Sequence, residues 1–252
     1  MTLNWGHIDG SLLALRLRKL WWLARRRSRW PLLRRGVAPS LEHGGLLAGR
    51  RFRSAIDIGA NLGQFAVWAV DVLGVQHIVC IDPLPDAKEQ LGATATHLRP
   101  CRVEIVSAAL GSARGKQTLH ITAASDSSSL LPISPADGLP GALREVGTHE
   151  VDVLVGDELL FSLGPFERPT LVKIDVQGAE IDVLSGLTNV LSSADAVLVE
   201  VSFADLYAGQ SDASSVTALL IDAGFALAGV ARVPGSSRSW ELDQADFLFE
   251  RK

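Results

Sequence analysis

From Ser54 onward, short runs of consecutive apolar residues alternate with segments whose apolar positions recur every three or four residues. The runs fall at 54–58, 77–82, 103–108, 170–174 and 196–201, and the helical segments at 62–73, 85–97, 180–191 and 213–223. Strands that are apolar throughout, instead of alternating apolar and polar, belong to a parallel sheet covered by helices on both faces. Two closing strands are predicted near 225–231 and 245–250. Between Gly115 and Val155 the rhythm changes. There 117–121 and 150–154 read as extra strands flanking a Ser-, Pro- and Gly-rich stretch, 125–141, which is too long for an ordinary connection and is expected to lie over the site. No internal repeat is evident.

Ahead of this pattern, residues 11–30 form an amphipathic helix ending at Pro31. At 100° per residue Leu13, Leu17, Leu20, Trp21 and Ala24 share one face and Arg18, Arg25, Arg26 and Arg29 the opposite one, with Leu15 and Trp22 falling among the arginines. Residues 31–49, with Gly36, Pro39, Gly44, Gly45 and Gly49, read as a connector. The chain therefore divides into a basic helical extension and connector, 1–53, and one α/β domain, 54–252.

Charge sharpens that division. Residues 1–53 hold 12 of the 24 Lys and Arg against only Asp9 and Glu42, a balance of +10, while the whole chain carries −4. Arg and Trp at this density suit a helix lying in the plane of an anionic membrane surface. The competing reading docks the helix on the protein itself or on a second subunit, as in a homodimer. Nucleic acid fits less well than either. No run of about 18 uncharged apolar residues is present, and the N-terminus lacks the apolar core of a secretory signal. The two cysteines form no CxxC or Cys/His cluster, so neither a disulfide framework nor a zinc site is indicated. The expectation is a cytoplasmic protein, peripheral at the inner face of the membrane if the helix binds lipid.

The chemistry starts at 54–65, Ser-Ala-Ile-Asp-Ile-Gly-Ala-Asn-Leu-Gly-Gln-Phe. Asp57 lies near the end of a buried strand, and Gly59 and Gly63 fold the next residues into a tight loop that opens a helix. Unpaired N–H groups at a helix start attract a carboxylate, and Asp57 can accept from an ammonium. That pairing points to the methionine end of S-adenosylmethionine more than to a pyrophosphate. A side chain at Gly59 is expected to enter the ligand's volume. In doubly wound sheets the ligand sits at the carboxyl ends of the strands, which adds Asp82, 107–109, 175–177 and 200–202. Asp82, after the second strand, is placed to accept from both ribose hydroxyls of an adenosine.

Two runs carry a specific resemblance: Asp-Ile-Gly-Ala-Asn-Leu-Gly (57–63) and Leu-Val-Lys-Ile-Asp-Val-Gln-Gly-Ala-Glu-Ile-Asp-Val-Leu (171–184). Ser-Ser-Ser-Leu-Leu (127–131), Val-Glu-Val (199–201), Leu-Tyr-Ala-Gly-Gln (206–210) and Asp-Phe-Leu-Phe (246–249) add to it. Together they resemble the FkbM-type family of S-adenosylmethionine-dependent methyltransferases over residues 54–250. The resemblance implies a class I, Rossmann-like, doubly wound sheet of seven mostly parallel strands. It implies methylation of a hydroxyl, often on a sugar, glycolipid or secondary metabolite, so the partner is a small-molecule or glycolipid acceptor. It puts Asp57, Gly59, Asn61 and Gly63 around the methionine end, Asp82 on the ribose, Ala108 and Ala109 near the adenine, and Asp175 by the amino group and the reacting methyl. The family more often carries Glu where Asp82 stands. Lys173 could instead be a buried partner for a carboxylate, and Glu180 a helix cap.

Methyl transfer to an aliphatic hydroxyl needs alignment and a base. Asp175, Glu200 and His149 are the candidates. A metal held by Asp175 and Glu200 alone would have too few ligands, and no metal site is expected. The Asp57–Gly63 loop departs from the Gly-x-Gly-x-x-Gly of nicotinamide enzymes by an acid at the first glycine. A binding module without turnover is the non-enzyme reading.

Overall fold

Residues 54–58 carry no exposed position, and the reason is their place in the middle of a sheet. The computed structural model describes residues 10–135, 141–232 and 243–252. Its strands are β1 (Ser54–Ile58), β2 (His77–Ile81), β3 (Arg102–Val106), β4 (Ala109–Gly111), β5 (Gly115–Thr122), β6 (Glu145–Val155), β7 (Thr170–Ile174), β8 (Ala196–Ser202), β9 (Phe225–Arg232) and β10 (Gln244–Arg251). Seven form one sheet of order β3-β2-β1-β7-β8-β10-β9. The pairings from β3 through β8 are parallel, and β10 runs antiparallel to both its neighbours. The order reverses beside β1, where β7 lies on the side opposite β2, and that switch opens the crevice in which ligands bind. A second sheet, β4-β6-β5, stands beside the first. Its strands are longer than the expected 117–121 and 150–154, and β4 follows β3 so closely that the pattern merged the two.

The helices are α1 (Gly10–Ala24), α2 (Trp30–Arg34), α3 (Gln64–Trp68), α4 (Ala87–Ala95), α5 (Gly156–Leu163), α6 (Glu180–Ser185), α7 (Thr188–Ser193) and α8 (Ala213–Asp222). They cover both faces of the sheet. Ile56, Ile58, Val79, Val172 and Val199 pack on one side with residues of α5 to α8, and Ala55, Ile78, Cys80 and Leu198 on the other with Phe65, Trp68 and Leu91.

Four boundaries differ from the expectation. The helix at 62–73 is α3 followed by a wider π turn over Ala69–Leu73. The helix at 180–191 divides at Gly186, where a β-carbon would sit 2.2 Å from the Gly111 carbonyl oxygen, so the break lets the chain pass close to β4. Helix α5 starts directly at the end of β6 without its own loop signal. Pro31 opens α2 instead of ending the first helix, since its missing N–H costs nothing in a first turn.

The basic segment packs into the same core as the sheet: Trp22, Leu23, Leu32, Val37, Leu41 and Leu47 are buried with Phe52, Ala55 and Leu73. Arg29 is buried as well and donates to Asp71 at 2.9 Å. The docked side of α1 is thus the one bearing Trp22, with Leu15 partly buried, while Leu17, Leu20 and Trp21 face water at 57%, 50% and 59% exposure. This is the reverse of the face a simple docked helix was expected to bury. Leu13 lies outside the described side chains.

Candidate active site

A cavity of about 580 Å³ opens at the carboxyl ends of β1, β2, β7 and β8. Its floor is the loop after β1. Gly59 has φ +80°, and a β-carbon there would lie 1.8 Å from the backbone oxygen of Asp175. Only glycine allows the ends of β1 and β7 to approach that closely. Asn61 holds φ 46°, a left-handed conformation that positions its N–H to donate to Asp82 Oδ2 at 2.7 Å. Leu84 N donates to the other Asp82 oxygen at 2.9 Å. Asp82 thereby ties the first loop to the second and keeps lone pairs on the cavity wall. Burial raises its pKa, against the pull of those two backbone donors.

At the floor lies a buried charge cluster in which Lys173 and Asp175 line the cavity and Asp57 sits behind them. Lys173 Nζ is 3.5 Å from Asp57 Oδ1 and 3.2 Å from Asp175 Oδ2. Burial alone would lower the Lys173 pKa, but Asp175 and Asp57 outweigh it and the net shift is upward. Asp57 is wholly buried; burial raises its pKa while Lys173 lowers it. Neither Asp57 oxygen has a hydrogen-bond partner within normal range among the described residues.

The opposite wall is a polar network centred on Gln177, another left-handed residue, with φ 56°. Its Nε2 donates to Asp175 Oδ1 and Glu200 Oε1, each at 2.8 Å. Gln244 Nε2 donates to the same Glu200 oxygen at 2.8 Å. Tyr207 Oη lies 3.0 Å from Gln177 Oε1 and 2.8 Å from the Ser127 carbonyl oxygen, so its one proton is shared between the amide and the loop above. Ser129 Oγ donates to the Gln177 carbonyl at 2.6 Å. Residues 125–130 line the cavity, as a loop over the site should. Burial, then Asp175 and Asp246, push the Glu200 carboxyl well above the usual range. Glu180 Oε1 accepts from Gly178 N at 2.8 Å, bracing the 175–179 turn, and burial raises it to about 7.

Of the residues singled out in the sequence, Gly59, Asn61, Asp82, Ala108, Ala109, Asp175 and Glu200 line the cavity. Three do not. Asp57 lies under the floor, because its strand position faces Lys173 across the β1–β7 register. Gly63 packs against Thr94 and Leu91 of α4. His149 is exposed on β6, opposite Leu119, and is not part of the cavity wall. Conversely, Tyr207, Gln244, His43 and Asp246 enter the site without having been assigned to it, and Gln177, collected only as part of the turn after β7, is the centre of its polar wall. Tyr207 and Asp246 sit in motifs that carried the family resemblance, and that was the available signal. His43 and Gln244 stand in no motif.

This sheet order, with a glycine cradle after the first strand and an acid after the second, defines a class I, Rossmann-like methyltransferase fold. The family model described as "Methyltransferase FkbM domain" matches residues 57–227, and the chain belongs to that family of S-adenosylmethionine-dependent methyltransferases. The chain is 39% identical over 92 residues to the hexuronic acid methyltransferase AglP of Haloferax volcanii, a match covering 33% of this chain and 36% of that protein. It is 26% identical over 175 residues to the AMB antimetabolite synthetase AmbE of Pseudomonas aeruginosa, covering 58% of this chain and 8% of that one. The matched segments thus span well under half of either relative. Among solved structures, magnesium protoporphyrin IX methyltransferase from Synechocystis PCC 6803 with bound SAM is similar at a TM-score of 0.46 and 10% identity, covering 98% of this chain and 86% of that one.

Proposed function

We propose that this protein transfers a methyl group from S-adenosylmethionine to a hydroxyl oxygen of a sugar, glycolipid or related metabolite. The observation that carries the reading is the make-up of the cavity: a donor cradle on one side and, facing it, Gln177, Glu200, Gln244, Asp246 and His43. A wall rich in hydrogen-bonding groups suits an acceptor rich in hydroxyls, since each buried polar group needs a partner. The resemblance to a hexuronic acid methyltransferase supports the same class.

The residues present fit the donor. Its ammonium and sulfonium are cations, and Asp175 puts a carboxylate on the cavity wall. The backbone of 59–61 would hold the methionine end, Asp82 the ribose and Ala108 and Ala109 the adenine. When bound, S-adenosylmethionine supplies an electrophilic methyl on a good leaving group. What the chain must add is alignment of the acceptor oxygen and a destination for its proton.

The protein would work at the inner face of the cytoplasmic membrane. Leu17, Leu20, Trp21, Trp30 and Leu33 are exposed together with Arg18, Arg25, Arg27, Arg34 and Arg35. Arg25 stacks on Trp21 with its guanidinium carbon 3.9 Å from a ring centroid, a pairing suited to the headgroup level. Leu15 and Lys19 of the same helix line the cavity, so a membrane resting on α1 would lie next to the acceptor's entrance. Among the described residues no helix is long and apolar enough to cross a membrane.

The test is label transfer. Purified protein with methyl-labelled donor is offered hexuronic acids, neutral hexoses, and the lipid and glycan fractions of a lysate. The expected product is alkali-stable label in a sugar-containing fraction, because a methyl ether resists base. Label confined to protein or nucleic acid would overturn the acceptor class.

A further inference from the structure

The cavity's far wall includes a residue from outside the matched span. His43, in the turn Leu41–Gly44, is 7% exposed and sits edge-on to Phe65 and Trp68, with ring centroids at 5.7 and 6.2 Å. Its Nδ1 lies 3.0 Å from Asp246 Oδ2. Asp246 is 5% exposed and stands directly across from Glu200 in the β8–β10 register. Both His43 and Asp246 line the cavity that holds Asp175 and Glu200. A carboxylate beside Nδ1 favours the tautomer with the proton there, which leaves the lone pair on Nε2. Among the described residues the ring's hydrogen bond is the one at Nδ1.

Resting on the hydroxyl reading above, we propose that His43 is the group that takes the acceptor's proton, with Asp246 as its positioning residue. Two of the other acids at the cavity, Asp175 and Glu200, already have partners. Asp175 is paired with Lys173 and bonded by Gln177, and Glu200 accepts two amide donors on one oxygen. In the step, the acceptor oxygen bonds to the methyl carbon as the sulfur–carbon bond breaks, and that electron pair stays on sulfur as a neutral thioether. The hydroxyl proton moves to Nε2. The positive charge lost from sulfonium reappears as imidazolium, held next to the Asp246 carboxylate, and the proton then leaves to water. A carboxylate acceptor would need none of this, since it has no proton to lose.

His43→Asn keeps an amide donor for Asp246 and removes the basic nitrogen. Calorimetry should find donor affinity within about twofold of wild type, while turnover of alkali-stable label falls by roughly 10² or more. Imidazole in the buffer should restore part of the turnover to His43→Ala. Asp246→Asn should lower kcat more than KM. It should also abolish a downfield exchangeable proton resonance of Nδ1–H that wild type shows without any acceptor. Wild-type turnover in His43→Asn, or a folded His43→Ala that imidazole leaves inactive, would overturn the base assignment while leaving the hydroxyl reading in place. Alkali-labile label alone would mean a methyl ester, and then the hydroxyl reading fails and this role falls with it.

Discussion

Lys173→Met removes one cation from beneath the cradle and leaves Asp57 with no counter-charge. At an effective dielectric near 20, a unit pair 3.5 Å apart is worth roughly 5 kcal/mol. Protonation limits what the loss can cost. A stranded Asp57 takes up a proton once that is cheaper than staying charged, and protonating an aspartate of ordinary pKa near 3.9 costs about 4 kcal/mol at pH 7 and about 1.5 kcal/mol at pH 5. Asp175 adds less, because its side chain is 29% exposed and water can replace the lysine. The variant should therefore lose at most about 4 kcal/mol at pH 7 and at most about 1.5 kcal/mol at pH 5, since burial already raises Asp57 in wild type and the lysine's own burial cost is removed with it. The sign follows from the raised pKa: the folded variant holds a proton that the unfolded chain releases, so its stability drops as pH rises above about 4. Urea unfolding followed by tryptophan fluorescence and circular dichroism measures this. With a slope of about 3 kcal/mol per molar, the pH 7 midpoint falls by up to about 1.3 M. Lys173→Met/Asp57→Asn discards the stranded charge and should recover most of the loss at both pH values. A penalty under about 1 kcal/mol at pH 7, or one equal at the two pH values, would refute the buried-charge account.

Glu180→Gln should be more stable than wild type above pH 7 by up to about 3 kcal/mol and equal to it below pH 4.5, since a carboxyl raised to about 7 costs stability as pH climbs from 4.5 to that value; thermal melts at pH 4.5 and 8 check this. Gly59→Ala should destabilise the fold by about 2–5 kcal/mol, seen in urea unfolding, because its β-carbon meets the Asp175 carbonyl at 1.8 Å and its φ is +80°. A substitution there thus strikes backbone, not the ligand's volume as the sequence suggested. Wild type should sediment with anionic but not neutral vesicles and lose binding as salt rises, whereas Leu20→Glu/Trp21→Glu should stay in the supernatant. Wild type that ignores vesicles and self-associates through this face would assign it to a homodimer.

The strands of the main sheet were legible because burial on both faces leaves an unbroken apolar run, as in β1, β7 and β8. The short β4 and the helix α5 were not, since neither carries a boundary residue that separates it from its neighbour. In the site, residues at strand ends were readable from topology alone: Gly59, Asp82 and Glu200 all line the cavity. Side-chain direction was harder. Asp57 sits two residues before Gly59, yet it points down to Lys173, and which way it faces depends on the register with β7, a strand more than a hundred residues away.

That difference follows a division in how the site is assembled. The cradle is built from the loops after β1, β2 and β3, inside the span that the family model matches. Sharing that span means sharing a donor. The facing wall also draws on Leu15, Lys19, Ser40, Glu42, His43, Gln244 and Asp246, all outside 57–227. Two distant pieces of chain meet there, and the His43–Asp246 contact joins residues 203 positions apart. A local motif cannot encode such a pair, because neither residue constrains the other until β10 is seated beside β8. The same segment that brings His43 to the cavity also carries the arginine- and tryptophan-rich surface of α1. Acceptor choice and membrane contact would therefore change together when residues 10–50 change, while donor binding stays with the sheet.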